Sequence, residues 1–193
     1  MLGEGFQQAN GRILKNGLYD PSLEHDNCGV GFVAKINGEA SNEVIKRALT
    51  ILVNLEHRGA LGGDQSTGDG AGLMIDIPHN FFKKQVNLPE KGDYAVGMFF
   101  LPKEEKYQAL IKDIVNQVIN DEGAKLITWR KVPTNNSVIG ELAKSTEPFI
   151  EQVFIARNGI PKENFERKLY VIRKVIENKI KGIKEYDLSQ FYI

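Results

Sequence analysis

Cysteine is almost missing from this sequence, because Cys28 is the only one among 193 residues. A single cysteine cannot form a disulfide within the chain, so the class of small secreted domains built around disulfides is excluded. An iron–sulfur cluster needs several thiolate ligands, so this chain cannot hold one by itself.

The sequence also lacks an excess of charge of either sign and any long apolar run. Twenty-five Lys and Arg residues balance 25 Asp and Glu residues, which gives no reason to expect nucleic acid or an anionic membrane as partner. The longest apolar runs are far too short to span a bilayer, and the first residues do not combine a basic start with an apolar core. With 41% hydrophobic residues, the sequence predicts a globular cytoplasmic protein of one domain or a large part of one.

The first 27 residues differ in composition from the rest. Glycine, asparagine and glutamine are frequent there, Asp20-Pro21-Ser22 is a turn signal, and apolar residues are scattered. We therefore interpret 1–27 as a leader. From Cys28 the sequence CGVGFVAKI predicts a strand, followed by a turn at Asn37-Gly38.

An amphipathic helix is predicted over 42–57, with Ser41 as its N-cap and Gly59 just past its end. Its apolar residues recur at spacings of three and four, at Val44, Ile45, Ala48, Leu49, Leu52 and Leu55. The glycine-rich loop GALGGDQSTGDGAG then leads to a short predicted strand, LMIDI.

The second half alternates predicted strands and helices. The predicted elements are the strand DYAVGMFFLP, a helix over 103–120, the strands AKLITWRKVP and PFIEQVFIAR, and a long helix that opens at Ile160-Pro161. Such a mixture excludes all-α and all-β architectures. The last residues, 189–193, look like the start of a further strand, so we expect the chain to be the front part of something longer.

Cys28 has two interpretations. A lone cysteine at a strand start is often a small buried hydrophobe, but its thiol becomes a nucleophile if a base lies nearby. His25, His57 and His79 are the only histidines, and their spacing places none of them decisively. Cleavage between Asn27 and Cys28 would supply a base without histidine, because the new α-amino group has an ordinary pKa near 7.7 to 8.0.

Several ordered motifs resemble a known family. DNCGVGF, followed about 30 residues later by LEHRGALGGDQSTGDGAG, is similar to the start of the class II glutamine amidotransferase domain of glutamate synthase large subunits. TWRKVP, EPFIEQVFIAR and FERKLYVIRKVIE also resemble this family, so the likeness runs from about residue 17 to the end. Other amidotransferases would share the Cys-Gly start and the Arg-Gly pair but not these later segments.

The resemblance implies an α+β fold, the four-layer αββα sandwich of N-terminal nucleophile hydrolases, incomplete at its C-terminal end. It implies removal of residues 1–27, attack of Cys28 on L-glutamine, and hydrolysis of the resulting thioester with release of ammonia. In a full glutamate synthase the ammonia is added to 2-oxoglutarate. FMN and an iron–sulfur cluster belong to that later part, which takes electrons from a small NAD(P)H-oxidising subunit or from ferredoxin; no cofactor or metal is expected in this segment.

The resemblance assigns few further site residues. Gly29 follows the nucleophile, and Arg58-Gly59 matches the wall of the catalytic pocket. Arg58 is equally well explained as a cation at a helix C-terminus. Asp69 is a pocket carboxylate or a turn former, and we favour the turn. No Gly-Lys-Ser/Thr follows the loop, so a nucleotide-phosphate site is a weak interpretation.

The family's oxyanion hole and its two glutamine-binding side chains are expected in segments after Ile193. We therefore predict that this chain alone is inactive, because stabilisation of the oxyanion is usually the largest catalytic contribution. Two alternatives stay open: a non-catalytic module that keeps the scaffold, and a separately encoded subunit completed by another polypeptide.

Overall fold

The computed structural model describes residues 29–59, 61, 64, 66–183 and 191–193, without the side chain of Arg58. The chain divides into two compact units. The first contains the residues up to 60 together with 69–73, and the second contains 61–68 together with 74–193. Asn27, Cys28 and the predicted leader lie outside the described residues.

Five helices and three strands are found in the described residues. In chain order they are α1 (Asn42–Asn54), α2 (His79–Phe82), β1 (Tyr94–Leu101), α3 (Glu105–Asp121), β2 (Lys125–Lys131), α4 (Glu141–Thr146), β3 (Phe149–Ala156) and α5 (Lys162–Lys181). The long helices and all three strands of the second half are therefore confirmed to within a few residues.

In the first unit, α1 is the predicted amphipathic helix, but it ends at Asn54, and Glu56–Arg58 form a separate 3₁₀ turn. Ser41 has the extended backbone of an N-cap, yet its hydroxyl makes no capping hydrogen bond. The predicted turn is confirmed, since the amide of Gly38 donates to the carbonyl of Lys35 at 3.0 Å and Gly38 has a φ of 69°.

Two predicted strands are not found among the described residues. Residues 29–35 and 73–77 adopt irregular backbone there, although the sequences CGVGFVAKI and LMIDI favour strands. A strand requires hydrogen bonds to a neighbouring strand, and composition cannot supply that neighbour. The short helices α2 and α4 were not predicted.

The second unit is built on a three-stranded antiparallel sheet in the order β1-β3-β2. In β3, Phe154 pairs with Val96 of β1 on one side and with Thr128 of β2 on the other. The free edge of β1 carries an isolated bridge, in which Phe100 and Tyr192 exchange backbone hydrogen bonds of 2.9 and 3.2 Å. The predicted strand start at 189–193 is thus seen only as this bridge, and Ser189 and Gln190 lie outside the described residues.

Both faces of the sheet are covered with apolar side chains. On one face, α3 and α5 pack against inward residues of β1 and β3; the buried members include Phe99, Leu101, Ile111, Val115, Val153, Ile155, Ile172 and Ile176. On the other face, Tyr94 and Phe154 pack with Phe82 of α2. The second unit therefore has α+β architecture with the sheet at its centre.

Phe154 is fully buried, and its ring centroid lies 5.0 Å from that of Phe82 in an edge-to-face arrangement. Phe154→Ala should lower the free energy of unfolding by about 3–5 kcal/mol, because it removes this contact and leaves a cavity. Phe81→Ala is the control, since Phe81 is half exposed, and should cost much less. Urea unfolding followed by fluorescence of Trp129, the only tryptophan and part of this unit, measures both; equal losses would contradict the prediction.

Candidate functional site

The segment after Cys28 lies against the C-terminal part of α1. A β-carbon placed on Gly29 would lie 2.9 Å from a methyl group of Leu55, and one on Gly31 would lie 2.5 Å from Cγ2 of Ile51. The side chains that follow each glycine point outward, since Val30 and Phe32 are 87% and 91% exposed. The two glycines thus permit a close approach to α1, and a larger residue at either position would force Leu55 or Ile51 to move.

Gly31→Ala should therefore destabilise the first unit by about 1–3 kcal/mol, because the new methyl group overlaps Ile51. Gly72→Ala is the matched control, since no atom of the described residues lies within 4 Å of a β-carbon there. Hydrogen exchange of the α1 amides measures the effect without relying on Trp129, which belongs to the other unit. Adding Ile51→Ala to Gly31→Ala should recover part of the loss, and a purely additive double variant would contradict the steric explanation.

The predicted pocket wall, Arg58-Gly59, follows α1 through the 3₁₀ turn. The amide of Gly59 donates to the carbonyl of Glu56 at 3.0 Å, and its backbone is extended, with φ of −84° and ψ of 159°. Gly59 is thus not the left-handed helix terminator that its position suggested. Because the Arg58 side chain lies outside the description, both of its interpretations stay predictions.

The two described histidines have local partners. Nδ1 of His57 lies 2.9 Å from the carbonyl oxygen of Asn54, at the end of α1. In the second unit, Nδ1 of His79 lies 3.1 Å from the hydroxyl of Tyr94. Burial raises the pKa of Tyr94 above its ordinary value, so its hydroxyl stays protonated at neutral pH. His25 lies outside the described residues.

Asp69 lies in an irregular, exposed part of the chain, and both of its interpretations stay predictions. The side-chain turn that the structure describes in this glycine-rich loop lies at Asp64. Oδ1 of Asp64 accepts hydrogen bonds from the amides of Ser66 at 3.2 Å and Thr67 at 2.8 Å. Asp-x-Ser-Thr is a recognisable signal for such a side-chain turn, and the sequence interpretation missed it.

The same Asp64 side chain also contacts the start of α4, which belongs to the same unit as Asp64. Its Oδ2 accepts the hydroxyl of Thr67 at 2.8 Å and the amide of Leu142 at 3.1 Å. The hydroxyl oxygen of Thr67 accepts the amide of Ala143 at 3.2 Å. The Leu142 amide, followed by the Thr67 hydroxyl, lowers the pKa of Asp64 to about 2, so the carboxylate is charged at neutral pH.

In the part of the chain that the structure describes, no three His, Cys, Asp or Glu side chains are grouped as metal ligands. Among the same residues, no helix is both long and apolar enough to cross a membrane.

Comparison with known proteins identifies similar sequences. The family described as "Glutamine amidotransferases class-II" matches residues 28–193. The "Glutamate synthase [NADPH] large chain" of Bacillus subtilis (strain 168) is 46% identical over 167 residues, which are 84% of this chain and 11% of that protein. The protein of the same name from Azospirillum brasilense is 40% identical over 181 residues, 91% of this chain and 12% of its own length.

A third relative carries a different name. The "Ferredoxin-dependent glutamate synthase" of Pyropia yezoensis is 38% identical over 176 residues, 88% of this chain and 11% of that protein. This chain therefore spans about a tenth of the length of the curated relatives that it matches.

Proposed function

The chain belongs to the class II glutamine amidotransferases, and on that premise we propose that it forms part of the domain with which a glutamate synthase releases ammonia from L-glutamine. The observation that carries the proposal is the start of the family match at residue 28, the position of the only cysteine. The names of the relatives favour glutamate synthase over other amidotransferases.

The proposed chemistry needs one sulfur and one amine. The Cys28 thiol gives its proton to its own α-amino group, and the sulfur bonds to the side-chain amide carbon of glutamine. The carbon–nitrogen bond then breaks, and ammonia leaves with the proton that the amine returns. Water attacks the thioester, releases glutamate and restores the thiol.

Removal of residues 1–27 is part of this proposal, because Cys28 has an amine only after cleavage from Asn27. The family match over 28–193 supports this division into leader and domain. We also propose the four-layer sandwich of N-terminal nucleophile hydrolases, which the α+β composition and the antiparallel sheet of the second unit support.

Four further residues of this chain are assigned to the proposed site. Gly29 follows the nucleophile and lets the chain approach Leu55 closely. Arg58 and Gly59 form a wall of the pocket, where the guanidinium lowers the pKa of the thiol or holds backbone carbonyls. Asp69 is the less favoured assignment, a carboxylate that lines the pocket; its side chain is exposed and could face a substrate.

The ammonia is proposed to pass to synthase domains that aminate 2-oxoglutarate with FMN and an iron–sulfur cluster. The residues of this chain do not fit the cluster, because a single cysteine cannot replace its thiolate ligands. The relatives are named for NADPH and for ferredoxin, so either a small NAD(P)H-oxidising subunit or ferredoxin is the proposed electron donor. We also propose a cytoplasmic location, because thiols stay reduced in the cytoplasm and this chain has a single cysteine.

The test is covalent labelling of protein purified from its own host with a diazoketone analogue of glutamine. We expect an intact mass that begins at Cys28 and one adduct on that residue, prevented by excess glutamine and absent from Cys28→Ala. An adduct on another residue would overturn the assignment of the nucleophile. A retained leader without any adduct would instead support a non-catalytic module.

A further inference from the structure

We propose that the free edge of β1 is the docking surface for one more strand, formed by residues 191–193 together with the residues that follow them in the longer protein. This fourth strand runs antiparallel to β1 and lies beside it, so that β1 becomes an inner strand of the sheet in the second unit. The inference rests on the proposed function in one respect, because that function makes this chain part of a longer protein.

One antiparallel contact is already present at this edge. The amide of Phe100 donates to the carbonyl of Tyr192 at 2.9 Å, and the amide of Tyr192 donates to the carbonyl of Phe100 at 3.2 Å. Such hydrogen-bonded pairs recur at every second residue of an antiparallel ladder. The backbone groups of Met98 and Val96 therefore face the same edge, and among the described residues β3, on the opposite side, is the only strand that pairs with them.

Residues 191–193 also have the side-chain alternation of a strand. Phe191 and Ile193 pack against the apolar core between the sheet and helices α3 and α5, and the ring centroids of Phe191 and Phe99 lie 6.2 Å apart. Tyr192, between them, is 63% exposed. Successive residues of a strand point to opposite faces of the sheet. The backbone and the side chains of these three residues therefore agree with the start of a strand.

The topology of the second unit has a place for this strand. Strands β1 and β2 are parallel and are joined through α3, and β3 lies between them, antiparallel to both. Helix α5 follows β3 and packs on the same face of the sheet as α3. A strand after α5 that is antiparallel to β1 repeats the arrangement, because it is parallel to β3 with β1 between them. This order of elements is the split β-α-β motif, which needs four strands.

The residues directly after Ile193 are the occupant that this edge favours. An uncovered edge strand pairs readily with any extended segment. The residues after Ile193 are tethered at the end of this edge, so their effective concentration there is higher than that of a second molecule. Continuation of the observed register places the first of them opposite Met98 and the third opposite Val96.

Hydrogen exchange measured by NMR tests the pairing in two proteins. One is the 193-residue chain, and the other, the extended protein, is this chain joined to the segments that follow in its longer relatives. The amides of Met98 and Val96 should exchange about 100-fold or more slowly in the extended protein, because they donate to the fourth strand there. Gly97 and Phe99 are internal controls, since their amides face β3 and should be protected in both proteins.

Three results would overturn the proposal. Equal exchange of Met98 and Val96 in the two proteins, with Gly97 protected, would show that the edge stays open. Protection in the 193-residue chain that increases with protein concentration would assign the edge to a second copy. The proposed register also requires a close contact between the α-protons of Gly97 and of the second residue after Ile193, and a contact of Gly97 with a different segment would show another occupant.

Two variants at Tyr192 separate the backbone contact from the side chain. Tyr192→Pro removes the amide that donates to Phe100, so it should speed exchange of the Met98 amide in the extended protein by about tenfold or more. Tyr192→Ala keeps that amide and removes a mostly exposed side chain, so the change should stay below about threefold. Continued protection of Gly97 shows that the sheet is intact in both variants. Equal effects of the two variants would contradict backbone pairing.

This readout does not depend on catalysis. The extended protein with Cys28→Ala should protect Met98 and Val96 as well as its parent does, because strand pairing does not require turnover. An extended protein that protects both amides but releases no ammonia from glutamine would leave the inference standing and overturn the proposed function. An extended protein that releases ammonia but leaves both amides unprotected would overturn the inference alone.

Discussion

Replacing Cys28 with alanine should abolish ammonia release from glutamine in the protein joined to the rest of its amidotransferase domain, lowering kcat by on the order of 10⁴-fold or more. The thiolate splits a difficult amide hydrolysis into two easier steps, and no other thiol in the chain can replace it. Only the positioning of glutamine and the stabilisation of the oxyanion would remain. Ammonia release under saturating glutamine measures the effect.

Two controls separate loss of the nucleophile from loss of the pocket. Glutamine should still bind Cys28→Ala with an affinity within a few-fold of the parent, because alanine leaves the pocket walls in place. Gly72→Ala should keep most of the activity, because no described atom lies within 4 Å of a β-carbon at that position. Turnover by Cys28→Ala within tenfold of the parent would show that another group forms the covalent bond.

Retention of residues 1–27 should lower kcat/KM by about 100- to 10,000-fold, the usual contribution of a general base. With the leader attached, the nitrogen of Cys28 is an amide and cannot take a proton from the thiol. After cleavage it is an amine, and its neutral form is the base, so activity should rise with pH through about 7.7 to 8.0. The leader-bearing form should lack this rising limb.

The matched control carries one extra alanine before Cys28. This form removes the bulk of the leader but still converts the nitrogen of Cys28 into an amide, so it should be nearly as impaired as the form with 27 extra residues. Steady-state rates over pH 6–9 compare the three proteins. If the form with one extra alanine keeps full activity and the rising limb, the α-amine is not the base.

Local sequence patterns were sufficient to predict the long helices and the strands of the second half. The apolar spacing of α3 and α5 and the compositions of β1 and β2 are properties of short windows, and the structure confirms those elements. The order of the strands was not available from the same windows. Glu151 and Gln152 interrupt the apolar run of β3, yet both are buried because β3 is the central strand. Lys112 forms an ion pair with Glu151, and Arg130 donates a hydrogen bond to Gln152.

Some features of the candidate site could likewise be predicted from local sequence, and others were decided only by the tertiary structure. The lone Cys28, the Arg58-Gly59 pair and the glycine-rich loop are contiguous motifs, so the sequence alone determined the family and the proposed nucleophile. Only the tertiary structure decided that residues 29–35 pack against α1 without forming a strand and that Asp64 reaches Leu142. The physical reason is distance along the chain. A hydrogen bond between residues 78 positions apart does not change the local hydrophobic pattern of either segment. The pattern of one segment also does not show whether a second strand lies beside it.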